Sequence, residues 1–405
     1  MERIVPTDSS PMHVSPTVTA IQEPATLLMA RRSRELRAEG RDIIDLSLGE
    51  PDHDPPAFAL EAAHEALRGP WHKYPPVNGY LDVRQAIAAK FKRDNGLEYT
   101  ADQIVVSTGA KQALMNVVMS LIGPGDEAVI PAPFWVSYSE QVKLCGGTPV
   151  IVGSTLEEDW KAPIDRIAAA ITPRTRLIMF SSPCNPSGSV LSRAELEALA
   201  EVVRKHPNVY VIADEIYEHI IFDGEHVSFA SLPGMAERTI TVNGLSKAFA
   251  LTGWRLGYLG APLWIAQAAV KVQGQFTSGT NTIAQRVTKA CMEADPAQLA
   301  PMRADFLRRR DLVLQALKNI PGWRCNVPQG AFYLLPDVRS CIDGRTIKGS
   351  VDLSLYLLDT VGVSLVEGRS FGAEGTLRIS YATADAKLSE AMARVAKGIA
   401  QLKGG

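Results

Sequence analysis

Asp214, Lys247 and Arg255 are the side chains whose types and spacing point most clearly to chemistry. Asp214 directly follows an apolar run, Lys247 comes 33 residues later, and Arg255 another eight residues on. A lysine amine binds a carbonyl as an imine, a carboxylate keeps a pyridine nitrogen protonated, and a guanidinium suits a phosphate monoester. Taken singly, Asp214 is better explained as a helix cap or ion-pair partner, and the other two as exposed surface cations. Together they favour carbanion chemistry on a phosphorylated pyridine cofactor.

A glycine-containing turn at 107–111 adds an anion site to this set. It lies between a predicted strand at 104–107 and a predicted helix at 111–121. Backbone N–H groups at the start of a helix, together with the helix dipole, bind anions such as phosphate. Most strand-to-helix loops contain residues of this kind, so the turn supports the cofactor prediction only in combination with Arg255.

Short β-branched runs alternate with helical stretches and carry these residues. This alternation predicts an α/β protein with a parallel sheet that is covered by helices on both faces. Asp214 follows one strand directly, and open α/β sheets bind ligands at the carboxyl ends of their strands. The strands are predicted at 104–107, 127–130, 176–180, 209–213 and 239–242, and the helices at 111–121, 136–144, 193–204, 300–317 and about 388–402.

The chain divides into three predicted parts. Residues 1–28 contain several prolines and no clean hydrophobic period, so we expect an arm that gains order by lying on the rest of the protein. We predict a large domain over 61–307, which carries the sheet. A small domain is predicted from both ends of the chain, 29–60 plus 308–405.

The composition excludes several classes of function. The 405 residues are 46% hydrophobic and 21% charged with a net charge of -2, and no long run of one charge indicates binding to nucleic acid or to a membrane. Five scattered cysteines without a CxxC pair argue against a disulfide framework and a zinc site, so no metal is expected. Residues 1–16 lack an apolar signal core, and no stretch approaches the roughly 20 apolar residues of a membrane span. We therefore expect a cytoplasmic protein with small-molecule partners.

A set of short motifs occurs in one order along nearly the whole chain. The motifs are LGEPD (48–52), KY (73–74), SPCNPSG (182–188), DEIY (214–217), SKAF (246–249) with TGWRLGY (252–258), and LRISY (377–381). In this the chain resembles the fold-type I, class I aminotransferases, and most of all their aspartate (aspartate/prephenate) subgroup. The resemblance implies pyridoxal 5′-phosphate (PLP) as cofactor. It also implies the PLP-dependent transferase fold, with a mainly parallel, seven-stranded sheet between helices in the large domain and a small α+β domain.

The resemblance implies a role for each residue around the cofactor ring. Lys247 would bind PLP covalently and, once displaced by substrate, act as the base that moves a proton between the substrate Cα and the cofactor. Asp214 would pair with the pyridinium nitrogen. Tyr217 and Asn185 would hydrogen-bond the phenolic oxygen and so lower the pKa of the imine. Trp135 would stack on the pyridine ring, although plain core packing also explains a tryptophan at this position.

The resemblance further implies which residues bind the cofactor phosphate. Gly109, Ala110 and Arg255 would bind it, with Lys111 in the same turn. Tyr74 would reach the phosphate from the neighbouring subunit, which implies a homodimer with shared active sites.

One position departs from the family pattern. Gly244, three residues before Lys247, stands where some relatives have a phosphate-binding serine. The sequence leaves open whether Ser246 takes over that role.

The substrate predictions also rest on the resemblance. Arg378 would hold the substrate α-carboxylate through paired hydrogen bonds, with Gly49, Asn185 and Trp135 beside it. In this subgroup, a lysine and a threonine together recognise a distal carboxylate of the substrate. Lys111 and Thr26 stand at the matching positions of this chain. The predicted amino donor is therefore a dicarboxylic amino acid, aspartate above all, and the acceptor a 2-oxo acid such as 2-oxoglutarate. Prephenate, which also has a second carboxylate, and aromatic amino acids stay open as alternatives.

Other functions share parts of this pattern. A PLP-dependent lyase, such as a carbon–sulfur β-lyase or an enzyme similar to aminocyclopropane-carboxylate synthase, has the same set of side chains and differs only in the fate of the carbanion. A non-catalytic PLP-binding sensor usually carries an added DNA-binding module, for which we expect no room in the short N-terminal arm. A generic α/β protein without a cofactor would show no absorbance from a protein-bound imine.

Overall fold

Twelve strands and thirteen α-helices are formed by residues 14–404, the part of the chain that the computed structural model describes. The strands are β1 Ile44–Asp45, β2 Ile104–Ser107, β3 Glu127–Pro131, β4 Thr148–Val152, β5 Thr175–Ser181, β6 Tyr210–Asp214, β7 Thr239–Gly244, β8 Gly257–Gly260, β9 Tyr333–Leu334, β10 Val363–Ser364, β11 Val366–Glu367 and β12 Leu377–Ser380. The helices are α1 Pro16–Thr19, α2 Ala25–Ala38, α3 Ala57–Arg68, α4 Leu81–Asn95, α5 Ala110–Leu121, α6 Ser137–Leu144, α7 Ile164–Ala169, α8 Arg193–Arg204, α9 Leu263–Phe276, α10 Thr282–Glu293, α11 Ala300–Leu317, α12 Ser350–Val361 and α13 Asp385–Gly404.

Seven strands form the central sheet, in the order β2-β8-β7-β6-β5-β3-β4. All neighbours are parallel except β8, which runs antiparallel to β2 and β7. The inner strands are buried on both faces, which explains their nearly continuous apolar sequences. The predicted α/β class, with a mainly parallel seven-stranded sheet between helices, is confirmed.

Helices bury the two faces of this sheet in separate cores. On β5, Leu177 and Met179 belong to the core that α5 and α9 cover. The alternate residues, Ile178 and Phe180, belong to the core that α8 covers. This period of two is the one that a strand imposes on its side chains. The helices therefore hold the strands rigidly, and the carboxyl end of β6 is left free for a ligand.

A second, smaller group of strands lies outside the central sheet. β12 pairs antiparallel with both β9 and β11, and β1 pairs parallel with β10. Side chains from α11, α12 and α13, among them Phe306, Leu357 and Val395, form one core with these strands. β1 precedes the central sheet in sequence and β10 follows it, so both ends of the chain contribute to this part.

The predicted helices and strands are all present, with bounds that differ from the predictions by at most three residues. Within the predicted arm, 1–28, residues 14–28 are more helical than the prolines indicate, since they contain α1 and the start of α2. Pro24 directly precedes α2, and a proline is tolerated at a helix start because the first N–H groups have no partner within the helix. The arm boundary at 28 therefore falls inside α2, while residues 1–13 lie outside the described residues. The predicted domain boundaries stay predictions.

Two further findings concern the classes that the composition excludes. The five cysteines are free thiols. Within residues 14–404, the length and apolarity that a membrane crossing requires do not occur together in any helix.

Candidate active site

A cavity of about 240 Å³ lies where β6 and β7 end, beside the first turn of α5. Residues of the central sheet form part of its wall, and residues from β9 and β12 close it. Every residue predicted for the site lines this cavity except Gly109 and Tyr74. The lining predicted residues are Thr26, Gly49, Ala110, Lys111, Trp135, Asn185, Asp214, Tyr217, Lys247, Arg255 and Arg378.

Asp214 ends β6 and is 5% exposed. Its Oδ2 accepts a hydrogen bond of 2.7 Å from the Tyr138 hydroxyl, and its Oδ1 accepts one of 3.3 Å from the Ile216 backbone N–H. Burial raises the pKa of Asp214 to about 6, although the hydrogen bond from Tyr138 lowers it. Both partners are neutral, so among the described residues no ion pair offsets the charge of this carboxylate.

Lys247 extends from the loop after β7 into the same cavity. Its Nζ donates a hydrogen bond to the Gly49 carbonyl oxygen at 2.5 Å and lies 5.9 Å from the centre of the Phe332 ring. Burial, with the positive charge of Arg378 as a second cause, lowers the pKa of Lys247 to about 8. A substantial fraction of this amine is therefore neutral near physiological pH, and the neutral amine is the nucleophilic and basic form.

Arg378 enters the cavity from β12 and is 1% exposed. Its Nη1 donates to Asn185 Oδ1 at 3.0 Å, its Nη2 donates to the Ser47 carbonyl oxygen, and its Nε has no hydrogen-bond partner. The guanidinium carbon lies 4.7 Å from the centre of the Tyr333 ring and 5.1 Å from that of Phe371. The rings and hydrogen bonds fix this guanidinium in one orientation, and no carboxylate among residues 14–404 pairs with it. The arrangement suits a planar carboxylate ligand.

Tyr217 takes part in a small network of hydroxyl and amide groups. Its hydroxyl lies 2.8 Å from the Tyr333 hydroxyl and accepts a hydrogen bond of 3.5 Å from Asn185 Nδ2. Burial raises the pKa of Tyr217 well above its usual value, so the phenol stays neutral and can donate a hydrogen bond. Tyr333 also explains Gly49, because a Cβ at that position would collide with the Tyr333 hydroxyl.

Arg255 lies beside the turn that begins α5. Its Nη1 donates to the Thr252 carbonyl oxygen at 2.9 Å, and its Nη2 lies 2.5 Å from where a Cβ at Gly109 would stand. Gly109 also has φ of 81°, a conformation that glycine adopts without strain. The turn therefore favours glycine, and the missing side chain also leaves room for the guanidinium beside the first residue of the helix, Ala110.

The departure at Gly244 has a steric reason. A Cβ there would lie 2.8 Å from the Leu256 carbonyl oxygen and 2.9 Å from the Gly257 Cα, both backbone atoms that cannot easily move. A serine therefore has no room at this position unless the backbone shifts. Ser246, in contrast, lines the cavity.

Lys111 projects from the first turn of α5, with its Nζ 4.9 Å from the centre of the Trp135 ring. Burial, together with the nearby positive charge of Arg255, lowers the pKa of Lys111. No carboxylate within residues 14–404 forms an ion pair with it. Thr26, on the first turn of α2, lines the same cavity. The cavity thus contains a lysine whose charge is left for a ligand.

Tyr74 lies apart from the cavity of its own chain. It is 95% exposed, on the irregular segment between α3 and α4. Its role at the phosphate stays a prediction that requires a second subunit.

A buried carboxylate, Glu218, connects the loops that carry the cavity residues. It accepts hydrogen bonds from Asn243 Nδ2 at 2.7 Å, from Asn95 Nδ2 at 2.6 Å and from the Lys90 ammonium. Asn243 belongs to β7, which leads to the Lys247 loop, whereas Glu218 directly follows Tyr217 in sequence. Glu218 therefore connects the segment that follows β6 with α4, through Lys90, and with β7, through Asn243.

Tyr138, Tyr333 and Glu218 contribute side chains to this arrangement and are not among the predicted site residues. Tyr138 had a local signal, since it lies in the predicted helix 136–144 only three residues after Trp135, a predicted site residue. Tyr333 and Glu218 had none, because their partners are distant in sequence and only the tertiary structure brings them together.

Comparisons with known proteins agree on one family. Residues 41–395 match the family model "Aminotransferase class I and II". The chain is 43% identical over 390 residues to the aspartate/prephenate aminotransferase of Cereibacter sphaeroides, an alignment that covers 94% of this chain and 97% of the relative.

Solved structures agree with the sequence matches. The aspartate aminotransferase from Rhizobium meliloti superposes with a TM-score of 0.92 at 40% identity, covering 96% of this chain and 98% of that one. The aspartate aminotransferase from Thermus thermophilus, solved with maleate, superposes with a TM-score of 0.91 at 40% identity, covering 95% of this chain and 99% of that one. The resemblance found in the motifs is confirmed, and the chain belongs to the class I and II aminotransferases.

Proposed function

We propose that this aminotransferase acts on dicarboxylic amino acids such as aspartate, with a 2-oxo acid such as 2-oxoglutarate as acceptor and PLP as cofactor. The single observation that carries the substrate class is Lys111, a cation that pairs with no carboxylate among the described residues and lies in the same cavity as Arg378. The names of the relatives support it. The Cereibacter sphaeroides protein is named for aspartate and prephenate, and maleate, with which the Thermus thermophilus enzyme was solved, is a dicarboxylate.

The residues around the cavity fit PLP, the cofactor that membership of this family implies. Asp214 is a buried carboxylate whose hydrogen-bond donors among the described residues are neutral, which suits a protonated pyridine nitrogen. The turn at Gly109 and the Arg255 guanidinium suit a phosphate, and the Lys247 amine suits a carbonyl carbon. Trp135, whose ring meets that of Tyr138 at 84°, is the aromatic group for the pyridine face. When bound, PLP supplies an electron sink for the negative charge that forms at the substrate Cα.

Lys247 is the group that moves the proton. With a pKa of about 8, its amine can take a proton from the substrate Cα and return one in the second half of the reaction. The Gly49 carbonyl oxygen fixes the amine by accepting a hydrogen bond. Tyr217 and Asn185 would donate hydrogen bonds to the cofactor's phenolic oxygen.

Substrate orientation follows from two cations in one cavity. Arg378 holds the α-carboxylate, and the unpaired Lys111 holds a distal carboxylate, with the Thr26 hydroxyl as an additional donor. A hydrogen bond to a charged group contributes about 1.5–3 kcal/mol, which corresponds to roughly a 10- to 100-fold preference in kcat/KM. Phenylalanine makes no such bond, so Lys111 should discriminate against it.

Steady-state kinetics of Lys111→Met tests this assignment. We expect kcat/KM for aspartate to fall by roughly 10- to 100-fold, while the value for phenylalanine changes little. Lys205→Met, at an exposed lysine that follows α8, is the matched control and should leave both values unchanged. An intact rate of the wild type with phenylalanine and negligible turnover of aspartate would overturn the dicarboxylate assignment.

The same assay separates the alternative functions. Prephenate as amino acceptor, with glutamate as donor, measures whether a second dicarboxylic substrate is used. Release of ammonia and pyruvate from cystathionine in the absence of any 2-oxo acid would instead favour a lyase.

The proposal extends to a homodimer with shared active sites. Two observations support it: Tyr74 is 95% exposed, and Phe276, at the end of α9, is 66% exposed. The core around β9 to β12, most of whose side chains come from 29–60 and 308–405, supports a small domain of those residues beside a large domain, 61–307. The free cysteines are consistent with the reducing cytoplasm.

A further inference from the structure

The segment that carries Tyr74 is irregular, yet its ends are fixed. It runs from the end of α3 to the start of α4 without regular secondary structure. The Val77 carbonyl oxygen accepts a hydrogen bond of 2.6 Å from Gln273 Nε2 on α9, and the Tyr80 N–H donates one of 2.9 Å to Gln285 Oε1 on α10. On the other side of Tyr74, the Trp71 carbonyl oxygen accepts a hydrogen bond from the Thr282 hydroxyl on α10. The segment is therefore fixed on both sides of Tyr74, although the tyrosine itself is almost fully exposed.

Arg286, on α10, holds the segment from its other side. Its guanidinium carbon lies 4.1 Å from the centre of the Trp71 ring and 4.8 Å from that of Tyr80. Its Nη1 and Nη2 donate hydrogen bonds of 2.7 and 2.8 Å to the two carboxylate oxygens of Asp82, the second residue of α4. We call these four residues, Arg286, Asp82, Trp71 and Tyr80, the Arg286 clamp.

The geometry of the Arg286 clamp is one that arginine makes and lysine does not. A bidentate pair with a carboxylate requires the planar guanidinium fork, and the same plane packs on aromatic rings. The Arg286 side chain is 10% exposed, so water screens this pair less than a surface ion pair. No member of the clamp lines the cavity of its own chain.

We propose that the Arg286 clamp positions Tyr74 for the active site of a second copy of this chain. The inference rests on the proposed homodimer, in which the Tyr74 hydroxyl binds the PLP phosphate of the partner's site. Trp71 precedes Tyr74 by three residues and Tyr80 follows it by six. By fixing Trp71 and Tyr80, the clamp lowers the conformational entropy that the segment would otherwise lose when Tyr74 binds the phosphate. Arg286 is thus a positioning residue that acts across the subunit interface, not on its own cavity.

The first test measures the Kd of PLP for the apoenzyme. Arg286→Met should weaken PLP binding by roughly tenfold, the size expected for one poorly formed hydrogen bond to a charged group. Asp82→Asn, at a residue whose side chain is 46% exposed, keeps the arginine and should change Kd in the same direction with little risk to folding. Arg174→Met is the matched control: it removes an arginine that pairs with Glu127 at the start of β3, and should leave Kd unchanged. Unchanged Kd values in both clamp variants would overturn the proposal.

The second test decides whether the clamp acts in its own chain or in the partner. Chains with Arg286→Met and chains with Lys247→Ala are co-expressed with different tags, and the mixed dimer is purified through both tags. One of its sites combines the Lys247 of the first chain with the Tyr74 segment and intact clamp of the second. We expect this site to bind PLP with the wild-type Kd and to recover the wild-type rate per site. A Kd as weak as that of the Arg286→Met homodimer would mean that the clamp acts within its own chain, and would overturn the proposal.

A parallel experiment separates this inference from the proposed homodimer. Mixed dimers of Tyr74→Phe and Lys247→Ala chains should recover in the same way if Tyr74 acts in the partner's site. If the mixed dimer with Tyr74→Phe recovers and the mixed dimer with Arg286→Met does not, the role of the clamp is refuted while the shared site stands. A wild type that sediments as a monomer, or a Tyr74→Phe homodimer with unchanged Kd, refutes the shared site on which the clamp proposal depends.

Discussion

Replacing Tyr138 by phenylalanine should move the acid limit of PLP binding to higher pH. The Tyr138 hydroxyl donates the shorter of the two hydrogen bonds to Asp214, 2.7 Å, and lowers a pKa that burial raises to about 6. A hydrogen bond to a charged group contributes about 1.5–3 kcal/mol, and one pKa unit corresponds to about 1.4 kcal/mol. The loss of this bond therefore raises the pKa of Asp214 in the apoenzyme by roughly one to two units.

The assay is the Kd of PLP for the apoenzyme as a function of pH. Only the ionised Asp214 stabilises a protonated pyridine nitrogen, so affinity falls as the pH drops through the pKa of this carboxyl, about 6 in the wild type. The titration of PLP itself is common to both proteins and cancels in the ratio of their Kd values. Tyr99→Phe is the matched control, because that hydroxyl lies 3.2 Å from Thr241 Oγ1 and does not line the cavity. Equal acid limits for the wild type and Tyr138→Phe would refute the reasoning.

Three further predictions concern residues of the cavity. Lys247→Ala should lower turnover by at least ~100-fold, the contribution of a positioned acid–base group, and remove the absorbance of lysine-bound PLP; a persisting band would contradict the covalent assignment. Gly49→Ala should lower kcat/KM on the order of 100-fold because its Cβ displaces Tyr333, and the double variant with Tyr333→Phe should recover activity if the collision with the hydroxyl is the cause. Asp214→Asn should raise the melting temperature of the apoenzyme above about pH 6. Burial raises the pKa of this carboxyl from 3.8 to about 6, so its ionisation destabilises the folded state by about 3 kcal/mol above pH 6 and has no effect on stability below the unfolded-state pKa. If the variant and the wild type were equally stable at about pH 8, or if their difference persisted at about pH 3, the expected pH dependence would be contradicted.

The sequence predicts that Asp214 and Lys247 lie close together, and both line one cavity for a physical reason. Asp214 ends one parallel strand and Lys247 follows the next, and the carboxyl ends of neighbouring parallel strands meet at one edge of a sheet. The turn at Gly109 could be predicted as an anion site from its place between a strand and a helix, but the second reason for that glycine, the Arg255 guanidinium, is a tertiary contact. Period and spacing thus locate residues that stand on the sheet itself.

Residues that come from outside the central sheet could not be located in this way. Arg378 and Gly49 meet Lys247 only because β12 and the segment after β1 fold over the sheet, and only the family resemblance placed them in advance. Tyr333 explains why position 49 must be glycine, yet nothing near either residue in the sequence connects them. The start of α2 was obscured by Pro24, since a proline signals a break as readily as it signals the residue before a helix.

The charges that line the cavity link its pKa values to its ligands. Among the described residues that line it, four cations, Lys111, Lys247, Arg255 and Arg378, face one carboxylate, Asp214. Burial is the main cause that lowers the pKa of the two lysines, and the arginines add to it: Arg378 acts on Lys247, and Arg255 acts on Lys111. A substrate carboxylate on Arg378 would offset the charge that makes the Lys247 amine less basic, and a phosphate on Arg255 would do the same for Lys111. Binding of a substrate carboxylate on Arg378 would therefore raise the pKa of Lys247, the amine that we propose takes the proton, while the substrate is bound.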